Sequence, residues 1–415
     1  MNFHGLMILG AVAVIVAVLF FLKLKIYYFP ACFFLIKFVA GRLINFDRVR
    51  DNVVFQLGIV IIMLLAISVR NCGKLRFHEH IFFPMGKSLM VFVVINMTLG
   101  VLVGHNWFQI FIDAYKYIEI IVYYVLFVIC WKNNDELLEG LKALCNVMLC
   151  IGFIEIFITS RGGVGLNLIM GLFPIIILLA MYGYLNHYKV ILGISLAVVV
   201  LSQTRTYIIA FFLGIILLAS LIPANIRRKL TGSILILSVL GVLLVVVLQP
   251  ELILNVVSRF LELSAGFSES GGYRIDEYRV AIQKFIEHPL IGNGFGYLQY
   301  TFINKMGFIL WGDFIHCIYI EILFKTGLAG ISALIFIVGK FAKKIVVAMR
   351  YFKNKNKFMF AICCGGICSF ANWLITYTFA PLTTYGSIFI GIITSAIAVS
   401  NYWMEHQCEN ATNSN

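Results

Sequence analysis

The sequence predicts an all-α fold: a polytopic transmembrane helix bundle of about 12–13 helices with one large extracytoplasmic loop. Three observations carry that expectation. Hydrophobic residues fill 61% of the 415 positions and charged residues 12%, with a mean hydropathy of +0.97; a soluble domain stands nearer half apolar and a quarter charged. The apolar residues gather in stretches long enough for a bilayer core, which takes roughly 20 residues of helix. Stretches such as 232–248 are apolar all round, without the alternation of a membrane strand, and lipid admits only helices or closed barrels.

The spans lie near 5–22, 26–41, 53–69, 88–104, 110–131, 141–159, 166–184, 190–202, 206–222, 232–249, 316–339, 358–378 and 385–403. The first has no basic residue ahead of it and is followed by Lys23 and Lys25. It reads as a retained helix with its N-terminus outside, not as a cleaved signal. The connections differ sharply in charge: alternate ones hold 18 basic residues, among them Arg227-Arg228-Lys229 and seven between Lys340 and Lys357. The short connections of the other side hold five, namely Arg42, Arg48, Arg50, Arg161 and Arg205. By the positive-inside rule the first set is cytoplasmic. The same rule absorbs the net charge of +13, so no nucleic-acid partner is expected.

The fifth span carries Asp113, Lys116 and Glu119 near its start, which predicts that its outer part lies in the membrane interface. Cys363, Cys364 and Cys368 share an apolar helix with no histidine or second cysteine pair at zinc spacing; they read as small apolar residues. The integral membrane domain is expected over 1–404, including the loop 250–315, and 405–415 is a polar tail.

The loop 250–315 is set apart by length and charge, with seven acids against five bases, and a loop this long with its own structure is usually functional. Ser268-Glu269-Ser270-Gly271-Gly272 reads as a turn-rich break in which Ser270 caps the next helix. From Tyr273 to Glu287, Ile275, Ile282 and Ile286 recur at helical spacing, until His288-Pro289 stops the helix. Gly292-Asn293-Gly294-Phe295-Gly296 comes next, as a turn. It lacks the preceding strand of a dinucleotide site and reads as close backbone packing at the membrane surface.

Charges in or at the edge of a span are costly and mark function by default. Arg205, in Ser202-Gln203-Thr204-Arg205-Thr206, opens an apolar helix; its other reading is a snorkelling anchor. Arg274 and Arg279 lie on the loop helix, where a solvated face is the plain alternative. His316 opens a span, and Glu321 inside it stands four residues before Lys325, a spacing that suits a structural ion pair as well as a catalytic carboxylate.

The order of these features resembles the O-antigen ligase/polymerase family. The resemblance rests on Ser202-Gln203-Thr204-Arg205-Thr206, then Tyr273-Arg274, then Phe285 to Gly296 as FIEHPLIGNGFG, then His316 running into Lys325-Thr326-Gly327-Leu328-Ala329-Gly330. It covers about 190–340 by motif. It implies a helical membrane glycosyltransferase related to the C-type class, moving a glycan from undecaprenyl pyrophosphate at the periplasmic face of the inner membrane. Arg205 and Arg274 match the arginines assigned to the lipid pyrophosphate, and His316 matches the histidine assigned to acceptor activation. Tyr273, Arg279 and Glu321 are expected to bind substrate. Cys317 departs from the asparagine usual after that histidine.

The chemistry agrees. A departing pyrophosphate gathers negative charge, which the permanent planar charge of arginine suits, and histidine is suited to taking a hydroxyl proton. Neither metal nor cofactor is expected. The reading is an O-antigen polymerase, with a lipid-linked oligosaccharide and membrane lipid as partners, alongside a chain-length regulator and a flippase. The alternatives are the ligase that places the finished chain on lipid A-core, and a secondary transporter, against which stands the absence of duplicated halves.

Overall fold

The computed structural model describes residues 25–32, 34–35, 82–131, 134–158, 164–202, 204–248, 269–303, 308–312 and 315–378. The spans expected near 5–22, 53–69 and 385–403, most of 26–41, the first part of the loop (250–268) and the tail 405–415 lie outside these residues. After a 3-10 turn at Ile26–Tyr28 the described residues include α1 (Phe82–Val103), α2 (Trp107–Cys130), α3 (Asn134–Ile158), α4 (Val164–Met181), α5 (Tyr188–Leu201), α6 (Arg205–Leu221) and α7 (Ala224–Leu248). The loop contributes α8 (Glu269–Glu287) and an antiparallel hairpin, β1 (Gln299–Ile303) paired with β2 (Phe308–Gly312). Helices α9 (Ile318–Phe352) and α10 (Lys357–Tyr377) complete the described chain.

The protein is a polytopic helical membrane protein. Four described segments are long and apolar enough to cross a bilayer, Pro84–Val103, Asn134–Ile154, Ile318–Phe352 and Lys357–Tyr377, and Leu168–Met181, Tyr188–Leu201 and Thr206–Leu221 are shorter apolar helices.

Helix α10 is the central post, packed against α4, α6 and α9. Its small residues permit this: a Cβ on Gly365 would fall 2.5 Å from the Cα of Ile175 on α4, and small residues are what let membrane helices approach closely. A polar tie lies nearby. Pro174 has no N–H and so cannot bond the carbonyl of Met170 one turn earlier. The buried Asn372 of α10 donates its Nδ2 to that Met170 oxygen at 3.3 Å. Asn372→Ala is therefore expected to lower stability by about 1–3 kcal/mol by orphaning a buried carbonyl. Adding Pro174→Ala, which restores the helix's own donor, should recover part of the loss. Thermal unfolding in detergent measures both; an additive double variant would show that the tie does not act as described.

Two sequence expectations change. Helix α9 does not end near 339 but runs to Phe352, because Phe341, Ile345, Ala348 and Phe352 stay buried along one face while Lys343, Lys344 and Arg350 are exposed. Helix α8 begins at Glu269, so Ser270 and the two glycines lie inside it and not in a break; its packing against α9 outweighs the roughly 1 kcal/mol that each interior glycine costs. Its isoleucines keep their helical spacing but face outward: Ile275, Ile282 and Ile286 are exposed, and the inward face is Glu277 and Ala281.

Candidate active site

Two arrangements meet where α8 packs on the start of α9. The first is built on a small apolar cluster of Ala281, Ile315 and Phe324, with Tyr278, Tyr297 and Ile320 against it. This cluster fixes α8 beside the short segment that leads into α9. On the same face of α8 is Glu277, with a side chain only 7% exposed, and opposite it stands His316, 24% exposed. Nδ1 of His316 lies 3.0 Å from Oε2 and 3.3 Å from Oε1 of Glu277. The backbone N–H of His316 donates to Oε2 at 3.4 Å, and the Tyr278 hydroxyl donates to the His316 carbonyl at 3.2 Å. A carboxylate sheltered by protein thus holds an imidazole that reaches solvent. Further along α8 Lys284 pairs with Glu287 at 2.7 Å, and this hydrogen bond raises the amine above its ordinary range.

The second arrangement is a splice of the glycine-rich turn into α9. Gly327 takes φ 66° and ψ −169°, a conformation open to glycine, and breaks the helical ladder. The N–H groups of Leu328 and Ala329 would otherwise reach the carbonyls of Phe324 and Lys325. They donate instead to Pro289 O (2.9 Å) and Leu290 O (3.0 Å), while the freed Phe324 and Lys325 carbonyls accept Asn293 N (3.1 Å) and Gly294 N (2.8 Å). Asn293 strengthens the exchange by donating Nδ2 to Phe324 O at 3.0 Å and Lys284 O at 3.2 Å. The approach demands glycine at 292, where a Cβ would meet Gly327 N at 2.5 Å. Close backbone packing, as the sequence suggested, is what this turn does, and its partner is the broken helix.

Beside the splice lies a buried ionic cluster. Lys325 Nζ is 2.6 Å from Asp113 Oδ1 and 3.1 Å from Glu321 Oε1, and Lys116 Nζ is 2.9 Å from that same Glu321 oxygen. Side-chain exposures run from 4% to 11%. Asp113 Oδ2 also accepts the backbone N–H of Gly296 at 2.8 Å. The three charges Asp113, Lys116 and Glu119, expected to place the outer part of α2 in the interface, turn toward protein. Asp113 and Glu119 are 3% and 1% exposed, and burying these charges inside protein, where Asp113 and Lys116 meet opposite charges on α9, avoids the cost of setting them in lipid.

Of the sequence-selected residues, His316 is in the first arrangement. Glu321 is in the ionic cluster, bonded to the Lys325 that its spacing suggested and also to Lys116. Arg279 is exposed on α8, and its two-residue offset sets it about 200° around the helix axis from Glu277. Tyr273 and Arg274 lie in the early turns of α8, and position 274, three residues before Glu277, shares its side of the helix. Arg205 is the first residue of α6, and α6 and α9 both pack on α10. The Tyr319 hydroxyl, donating to Leu374 O at 2.7 Å, joins the start of α9 to the end of α10. The side chains of Arg205, Tyr273 and Arg274 lie outside the described residues.

Glu277, Tyr278, Asp113 and Lys116 were not among the sequence-selected site residues. Opposite charges in two apolar spans, Asp113 and Lys116 against Glu321 and Lys325, were the available signal for the cluster. Glu277 had none beyond its sign.

Compared with known proteins, residues 190–335 match the family model described as O-Antigen ligase. No curated protein matches the chain.

Proposed function

We infer, from the match of residues 190–335 to the family model described as O-Antigen ligase, that this chain is an O-antigen polymerase acting at the periplasmic face of the inner membrane. The observation that supports this reading is His316, held against a buried carboxylate on the loop helix whose early turns carry Arg274. In the reaction a hydroxyl oxygen of a lipid-linked repeat unit bonds to the anomeric carbon of the growing chain. The bond from that carbon to undecaprenyl pyrophosphate breaks, and the pyrophosphate leaves with the electron pair. His316 takes the hydroxyl proton, and Arg205 and Arg274 neutralise the charge gathering on the leaving group. Tyr273 and Arg279 bind the glycan, and a chain-length regulator and a flippase act beside the enzyme.

The description of the matched family favours a second reading, transfer of the finished chain to lipid A-core. Deleting the gene in its host separates the two on a lipopolysaccharide gel. Loss of a polymerase leaves core bearing one repeat, whereas loss of a ligase leaves core alone. An unchanged ladder sinks both. The same strain tests the arginines. A bidentate fork is not replaced by a mobile ammonium, so Arg205→Lys and Arg274→Lys are each expected to shorten or abolish the ladder nearly as fully as alanine. Full ladders from both lysine variants at equal membrane level would reduce these residues to interfacial anchors.

A further inference from the structure

We propose that Glu277 is a positioning residue that holds His316 in the tautomer protonated on Nδ1, so that the lone pair sits on Nε2 to take the acceptor hydroxyl's proton. The proposal rests on the transferase reading above. An ionised carboxylate offers only acceptors, so the contact of Nδ1 with Oε2 at 3.0 Å and Oε1 at 3.3 Å assigns the ring proton to Nδ1. The other nitrogen then carries the lone pair. The ring is held in orientation as well as in tautomer. Glu277 Oε2 also accepts the His316 backbone N–H at 3.4 Å, and Tyr278, the next residue on α8, donates to the His316 carbonyl at 3.2 Å. Glu277 is 6% exposed over the whole residue, so protein screens it from water, while the imidazole is 24% exposed and open to a substrate. A sheltered carboxylate that orients an accessible base is the division of labour seen wherever a third group fixes a catalytic histidine.

A second role for Glu277 has to be separated from this one, that of a latch fastening α8 to α9. Glu277→Gln separates them, because glutamine keeps the size of the side chain and an acceptor for the backbone N–H. Its amide can present N–H to Nδ1 and so turn the tautomer over.

The test uses the full chain in lipid nanodiscs with its histidines labelled with 15N and no substrate present. The signals of His316 are identified by their loss in His316→Gln. Spectra are taken near pH ~9, above the ordinary imidazole range. The expected result is a wild-type His316 protonated on Nδ1 and a Glu277→Gln variant with most of its proton on Nε2. In the deletion strain, the rate at which polymerised ladder appears after induction is expected to fall by about a hundredfold or more in Glu277→Gln at equal membrane level. Glu277→Asp, which keeps the charge on a shorter stem, should recover part of that loss.

A wild-type His316 protonated on Nε2 overturns the proposal, whatever the variants do. So does a Glu277→Gln ladder that forms within about threefold of the normal rate, given that the orienting group of a triad is worth far more. The nitrogen spectrum needs no glycan, so the two readings fail separately. The expected tautomer in a host whose lipopolysaccharide is unchanged by deletion overturns the transferase reading and the use assigned to Nε2. The wrong tautomer in a host that does lose its ladder overturns the positioning role alone.

Discussion

Replacing His316 by alanine is expected to slow glycan transfer by about a hundred- to ten-thousandfold, the contribution of a positioned general base, while leaving the protein folded. The folding half of this expectation comes from the surroundings. His316 is part-exposed, and its backbone bonds to Glu277 and Tyr278 do not depend on the imidazole. Removing the ring leaves the buried Glu277 carboxylate with fewer partners. His316→Gln is therefore the companion variant, since its amide can still donate to that carboxylate. Both should lose transfer, and the glutamine variant should keep the wild-type membrane level. His288, exposed at the end of α8, is the control expected to tolerate alanine. The measurement is the rate of ladder formation in the complemented deletion strain, corrected for membrane level. A near-normal rate from His316→Ala would remove the base from the mechanism and leave Glu277 a latch.

Much of the bundle was legible because its signal is local. A run of apolar residues long enough to span lipid needs no partner to be recognised, and α4, α5 and α6 start and end within a few residues of the expected spans. The misjudged features all depend on residues far away in sequence. That α9 continues past residue 339 reflects Phe341, Ile345, Ala348 and Phe352 finding a surface to pack on. The loop helix takes in Ser270 and the two glycines because its inward face docks through Ala281 meeting Ile315 and Phe324. The same holds for the site. His316 was selected because it opens a span and matches the histidine that the family resemblance assigns to acceptor activation, a role its ordinary acid–base range suits. Its partner Glu277 is 39 residues earlier, one acid among seven in the loop, and only the docking of α8 on α9 singles it out. The glycine-rich turn was correctly seen as a packing element, yet its mate, the break at Gly327, was read only as part of the motif order that carries the resemblance.

The ionic cluster beneath that splice supports the prediction with the largest effect on folding. Asp113, Lys116, Glu321 and Lys325 carry two charges of each sign at side-chain exposures of 4% to 11%, so each cation is balanced by protein carboxylates and little by water. Taking away one partner strands a charge away from water, which costs about 3–5 kcal/mol. Lys325→Met and Asp113→Ala are each expected to lower the thermal unfolding midpoint in detergent sharply and to reduce membrane levels. Asp113→Ala also orphans the backbone N–H of Gly296, so it loosens the turn as well as the cluster. The double variant Asp113→Asn with Lys325→Met removes one charge of each sign. It keeps an acceptor for Gly296 and leaves the 2.9 Å Lys116–Glu321 pair neutral in itself. If the cluster is a balanced set, this double variant should be more stable than Lys325→Met alone, although it changes one more residue. A double variant that is less stable, by the sum of two independent losses, would mean that the four groups do not balance one another. The outcome also bears on Glu321. In the double variant its carboxylate keeps only Lys116, so a stable double variant with normal ladders would assign Glu321 to holding α9 against α2. Stable protein with collapsed ladders would instead show that the cluster sets the geometry in which His316 and the spliced turn meet the glycan.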